Sequence, residues 1–191
     1  MPLKDDINQA WNNLNEGNYQ TALRQFSQFS KQLKISSGEG FKVFLGLART
    51  HEMLHNYAEA LEIYQQLKKQ YPRHRSVLLN LARCYQNMDQ YTDALRLFEA
   101  LKKETPQDKQ VLLGLAYCYE KSGQPTKALT QFQQLKQQYP QEKSILLGLA
   151  RCYEDLHQPH KAVEVYQALY VKMPTDKQVG LCLGRCYEGS Q

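Results

Sequence analysis

An all-α solenoid of antiparallel helix pairs is predicted for this chain, and three observations predict it. The segment Val111-Leu112-Leu113-Gly114-Leu115-Ala116-Tyr117-Cys118-Tyr119-Glu120 recurs in close variants at 77–86 and 145–154, a spacing of 34 residues each time. Pro72, Pro106, Pro140 and Pro174 repeat at the same interval. Within each interval the apolar residues form two helical stripes. A fixed period of this size marks stacked helical units, none of which can bury its apolar side alone.

Counting each unit so that its proline falls at position 32 gives full units over 41–74, 75–108, 109–142 and 143–176. In the unit 109–142 the first helix carries Val111, Leu112, Leu115, Ala116, Cys118 and Tyr119, which fall on one connected arc at the helical period. The second carries Ala128, Leu129, Phe132 and Leu135. Short polar turns separate the two: His55-Asn56, Asp89-Gln90, Gly123-Gln124 and His157-Gln158. Pro125 and Pro159 suit the first turn of a helix, where the missing N–H has no partner to lose. Pro72 and its counterparts do the opposite, pushing the residue before them out of the helical region. Two helices joined by so short a turn pack antiparallel.

The ends are less regular. A degenerate first unit spans 5–36, with Ile7, Ala10, Trp11 and Leu14, then Ala22, Leu23, Phe26 and Phe29. Extra residues fit the loop 36–40. A terminal single helix over 177–188 keeps the interior pattern in Val179, Leu181, Leu183, Cys186 and Tyr187, although an outer helix should be polar. Two expectations follow: the array continues beyond it, or this end self-associates or packs on another molecule.

The pattern resembles the tetratricopeptide repeat (TPR) family. That family asks for a large apolar residue at position 4, Leu at 7, a small residue at 8, Tyr at 11, small at 20, aromatic at 24 and Pro at 32. The unit 109–142 answers with Leu112, Leu115, Ala116, Tyr119, Ala128, Phe132 and Pro140. The unit 41–74 departs once, with His51 in the Tyr position. The resemblance covers nearly the whole chain as one array. It implies a right-handed superhelix, with the first helices lining a concave groove that binds a partner protein.

Net charge is +5, from 24 basic and 19 acidic residues, with no long basic run, so nucleic acid is not the expected partner. No secretory leader and no apolar run of membrane-spanning length is visible, so a membrane is not an expected partner either. Cys84, Cys118, Cys152 and Cys186 recur at the repeat period. Equivalent helices lie at least about 8–10 Å apart, beyond disulfide reach. These thiols read as small buried residues of a reducing compartment, which makes a cytoplasmic location the expectation.

The arc that stacking leaves free on each first helix supplies the candidate groove: Leu45, Arg49, Leu79, Asn80, Arg83, Leu113, Tyr117, Glu120, Leu147, Arg151 and Arg185. The leucines, joined by Leu181, either form an apolar strip for a partner or tuck sideways against the next unit. Gly46, Gly114 and Gly148 stand inside helices, where glycine costs about 1 kcal/mol. That cost points to close approach, by a ligand backbone or by packing. The Arg row is interrupted at Tyr117, and glutamates three residues on (Glu52, Glu120, Glu154, Glu188) are expected to pair with it locally. Chaperone-binding TPR proteins use a two-carboxylate clamp of Lys and Asn, of which only Asn80 fits here.

His51-Glu52-Met53-Leu54-His55 matches the HExxH zinc-protease signature. The repeat phase speaks against it, because His51 takes the Tyr position and His55 falls in the turn. No phosphate-binding glycine loop and no nucleophile with a paired base can be assigned. The reading is a non-enzymatic interaction scaffold without metal or cofactor, and the alternative is an assembly module acting through 177–188.

Overall fold

A computed structural model describes the backbone of residues 2–188 and the side chains of 3–187. The described residues form eleven α-helices and no strand. The chain divides into two compact units, with the boundary between Leu97 and Phe98. The first contains α1 (Pro2–Asn15), α2 (Tyr19–Ser30), α3 (Gly38–Met53), α4 (Tyr57–Gln70), α5 (Arg75–Asn87) and the start of α6 (Tyr91–Glu104). The second holds the rest of α6, then α7 (Lys109–Lys121), α8 (Pro125–Gln138), α9 (Lys143–Asp155), α10 (Pro159–Lys172) and α11 (Lys177–Glu188).

In the first unit α1 through α5 each pack on the next, and the first helices also touch one another, α1 with α3 and α3 with α5. The second unit repeats this with α7 through α11, including α7 against α9. Burial follows the sequence stripe. Val111, Leu112, Ala116 and Cys118 are fully buried, and Leu115 and Tyr119 nearly so. Ala128, Phe132 and Leu135 of α8 meet the same core.

The turn inside each hairpin needs one residue in the left-handed region. Gly17 (φ 84°) and Gly123 (φ 69°) supply it at no steric cost, whereas His55 (φ 61°), Asp89 (φ 58°) and His157 (φ 54°) bear the Cβ clash. His157→Gly is expected to raise stability by about 0.5–1 kcal/mol, since the exposed ring gives little in return. Urea denaturation measures it, and a lower midpoint would mean that the imidazole makes a contact worth more than the backbone strain.

Pro125 and Pro159 open α8 and α10, as their fixed φ favours. The second helices stop two residues before Pro72, Pro106, Pro140 and Pro174. Asp108 caps α7 by accepting from Gln110 N (2.9 Å) and Val111 N (3.2 Å). Asp176 caps α11 in the same way. At α5 the corresponding residue is His74, whose side chain makes no capping bond.

Candidate functional site

The candidate site is the free face of the first helices, and its leucines do not form an exposed strip. Leu79 and Leu147 are each only 5% exposed, which removes them from the set available to a partner. Leu147 lies in one cluster with Val179, Cys182 and Cys186 of α11, so this position tucks sideways into the stack. Leu45 and Leu113 are half-buried, and Leu45 packs on the core around Tyr64 and Leu67. Leu181 is 70% exposed. The physical reason is the tight stacking of successive hairpins, which spreads the contact arc beyond the stripe that one helix alone defines.

The in-helix glycines are explained by packing rather than by a ligand. A Cβ on Gly46 would meet the Phe26 ring at 2.4 Å, one on Gly114 the Phe98 ring at 2.3 Å, and one on Gly148 the Phe132 ring at 2.2 Å. In each case the atoms met are Cζ and the two Cε atoms of a ring from the preceding hairpin. Where the ring is a tyrosine, the residue sixteen places on is Asn80 or Cys182 instead of glycine. The hydroxyl then donates to a glutamate of its own hairpin: Tyr64 to Glu52 at 3.0 Å and Tyr166 to Glu154 at 2.7 Å. Burial first, then the adjacent carboxylate, raises both phenol pKa values. This coupling is not evident from the helical period, although the matching of Phe with Gly is visible in the sequence.

The arginines pair with glutamates, but not along one helix. Arg151 donates to Glu120 in a fork, Nε to Oε1 at 2.7 Å and Nη2 to Oε2 at 3.0 Å, across 31 residues. The Glu120 side chain is 5% exposed, and its hydrogen bond holds the Arg151 pKa above the ordinary value. Arg83 Nη2 lies 3.6 Å from Oε1 of Glu52, again across the hairpin joint. Asn87 Nδ2 also reaches that oxygen at 3.4 Å. The local pairing three residues on is therefore replaced by struts between hairpins. Glu188 has no described side chain.

Arg49 follows the same logic at the first joint. The degenerate hairpin has buried Leu14 in the glutamate's place, and the Arg49 guanidinium lies 5.3 Å from the Trp11 ring centroid. Asn80 is half-buried. Tyr117 is half-buried with Lys121 Nζ 5.6 Å from its centroid. Arg185 is exposed and sends Nη2 toward Cys182 Sγ at 3.6 Å. In the second unit Glu120, Lys121, Arg151, Glu154, Asp155 and Arg185 line one open depression of about 460 Å³. Desolvation, then the charges of Glu120 and Glu154, raises the Asp155 carboxyl above its usual range. In the first unit the corresponding face offers Arg49, Met53 (45% exposed) and Arg83.

The HExxH residues take places in the helix stack and its turn. Glu52 is buried under the Tyr64 hydroxyl, and His55 stands in the turn with Nδ1 2.7 Å from the Tyr57 hydroxyl. Burial lowers the His51 pKa, and its Nδ1 has no hydrogen-bond partner. Among the described residues no cluster of three or more His, Cys, Asp or Glu is placed to hold a metal. None of the five cysteines is in a disulfide, and all are buried. Burial pushes the thiols of Cys84, Cys118 and Cys152 up to about 12, far from thiolate chemistry at neutral pH. No described helix is long and apolar enough to cross a membrane.

Comparison with known proteins agrees with this architecture. Two family profiles described as tetratricopeptide repeat match residues 7–75 and 53–113. A profile described as anaphase-promoting complex, cyclosome, subunit 3 matches residues 87–169. The comparison with curated proteins found no match. Among solved structures, a tetratricopeptide repeat protein from Parabacteroides merdae superposes with TM-score 0.83 at 16% identity, covering 97% of this chain and 72% of that one. MamA from Desulfovibrio magneticus gives 0.80 at 19% identity over 92% and 97% of the two chains. A thermophilic TPR protein from Thermus thermophilus gives 0.69 at 19% identity over 97% and 98%. At these identities the structural likeness carries the fold alone, and with the family profiles it places the chain in the tetratricopeptide repeat family.

Proposed function

We propose that this chain binds a segment of a partner protein on the free face of its first helices. A TPR fold is in general a protein–protein interaction scaffold, and the family is generally non-enzymatic. The observation that carries the finer reading is the depression around Arg151, Glu154 and Arg185, where charged side chains of three successive first helices converge on one open surface. Arg151 and Arg83 act first as struts, so they are poor choices for a binding test. Arg185 is better placed: it is exposed and lines that depression, on a face accessible to a peptide. A photo-crosslinking residue at Arg185 or Met53 is expected to capture the partner, and one at Thr92 or Thr126 on the second helices is not. Capture from the second helices alone would overturn the groove reading.

One observation favours assembly as a second reading. Tyr170 (41% exposed), Val171 (80%), Leu181 (70%) and Tyr187 (48%) lie on α10 and α11. Interior counterparts of Leu181 at Leu79 and Leu147 are covered. A second copy stacked here would bury that apolar area. Sedimentation at rising concentration tests it: a monomer throughout excludes self-association through 177–188.

A further inference from the structure

We propose that the corner between α4 and α5 is a second docking surface, for a carboxylate-rich segment of a partner protein. The repeat makes the case, because four equivalent corners can be compared. Residues 102–108 hold Lys102 and Lys103 against Glu104 and Asp108, for a net charge of zero. Residues 136–142 set Lys136 against Glu142, and residues 170–176 set Lys172 against Asp176, again zero in each. Residues 68–74 hold Lys68, Lys69 and Arg73 with no acid, a net charge of +3 with His74 neutral. No acidic residue occurs anywhere between Glu62 and Asp89.

The structure leaves these charges available. Lys68, Lys69, Arg73 and His74 are all exposed. Among the described residues no ion pair engages Lys68, Lys69 or Arg73. Each of the other corners ends in an acid just before a first helix, and two of these acids pair with the lysine that opens the preceding first helix. Glu142 pairs with Lys109, and Asp176 Oδ2 lies 2.5 Å from Lys143 Nζ. In the α4–α5 corner that acid is His74, whose ring packs 4.6 Å from the Phe41 centroid and 6.4 Å from that of Tyr71. The substitution removes a negative charge from the N-terminal end of α5, and no acid occupies the first turn of that helix. The positive end of the helix dipole therefore meets no acid from the cap or the first turn of α5 itself.

The occupant follows from charge and size. Three cations confined to one exposed corner match a short run of Glu or Asp side chains, and such complementarity governs association rate and partner choice. Nucleic acid and anionic membranes draw on longer basic tracks, whose many phosphate contacts this corner does not provide. The surface is separate from the first-helix face, so its failure would leave the groove reading intact.

The test uses a labelled oligoglutamate peptide and fluorescence anisotropy at low salt. Lys68→Glu/Lys69→Glu/Arg73→Glu is expected to weaken binding at least about tenfold. Arg73→Gln/His74→Asp, which installs the Gln-Asp pair found at Gln107 and Asp108, should weaken it by several-fold without disturbing an exposed corner. Lys34→Glu/Lys103→Glu/Lys136→Glu makes the same total charge change elsewhere and should stay within about threefold of wild type. Equal loss in this control would reduce the effect to bulk charge and overturn the proposal. Tighter binding of oligodeoxythymidylate or phosphatidylserine vesicles than of the peptide, lost in the same triple variant, would overturn it in favour of nucleic acid or membrane. Circular dichroism of each variant is expected to match wild type.

Discussion

Arg151→Glu is expected to lower the stability of the fold by about 2–3 kcal/mol, without any partner present. Glu120 is almost fully buried, and its two oxygens are held by the Arg151 fork at 2.7 and 3.0 Å. Removing one member of a buried pair costs about 3–5 kcal/mol when both are dry, and here the reversal leaves Glu120 only Lys121 Nζ at 3.9 Å. Arg151 keeps 34% of its side-chain exposure, so solvent screening discounts that figure. Arg83→Glu should cost less, since Arg83 is 49% exposed and lies 3.6 Å from Glu52. The repeat supplies its own rescue. One unit earlier, the residues in the places of Glu120 and Arg151 are Gln86 and Tyr117. Glu120→Gln/Arg151→Tyr should therefore recover stability to within about 1 kcal/mol of wild type. Urea denaturation decides: equal effects of the Arg151 and Arg83 reversals would remove the strut role assigned to Arg151.

Gly148→Ala and Gly184→Ala make the same chemical change inside helices, and opposite signs are expected. At Gly148 the new Cβ would meet the Phe132 ring at 2.2 Å, and that ring is 3% exposed with nowhere to retreat. Overpacking of this kind costs about 1–3 kcal/mol, more than the roughly 1 kcal/mol that alanine returns in helix propensity. A net loss of up to about 2 kcal/mol is expected. At Gly184 nothing lies within 4 Å of the added carbon, so the propensity gain stands alone at about 0.5–1 kcal/mol. Thermal unfolding of both variants measures the difference. Phe132→Leu combined with Gly148→Ala should show favourable coupling of about 1 kcal/mol, because the shorter side chain vacates the clash. Two losses that simply add would mean that the ring does not set the residue at Gly148.

Much of the fold was legible because a repeat repeats its reasons. The buried arc of Val111, Leu112, Leu115 and Ala116 follows from the helical period alone, and the proline at the end of each unit follows from its missing N–H and its fixed φ. The turn residues His55, Asp89, Gly123 and His157 mark one position, although only the backbone reveals that it is left-handed. The groove was less legible. Periodicity assigns a residue to a helix face but does not say how far the neighbouring hairpin wraps round that face. Leu79 and Leu147 accordingly looked like Leu181 in the sequence, yet two are buried and one is exposed.

The sequence by itself determined the class of fold, the order of the helices and the stripe that each buries, because these depend on spacing along one chain. Only the tertiary structure decided which partner each side chain took. Arg151 could reach a glutamate three residues on or 31 residues back, and stacking brought the second into the fork. Gly148 could have faced a ligand or a ring, and the Phe132 ring fills the place of its missing Cβ. Contacts between hairpins depend on how closely they approach, a quantity that the period of a sequence does not contain.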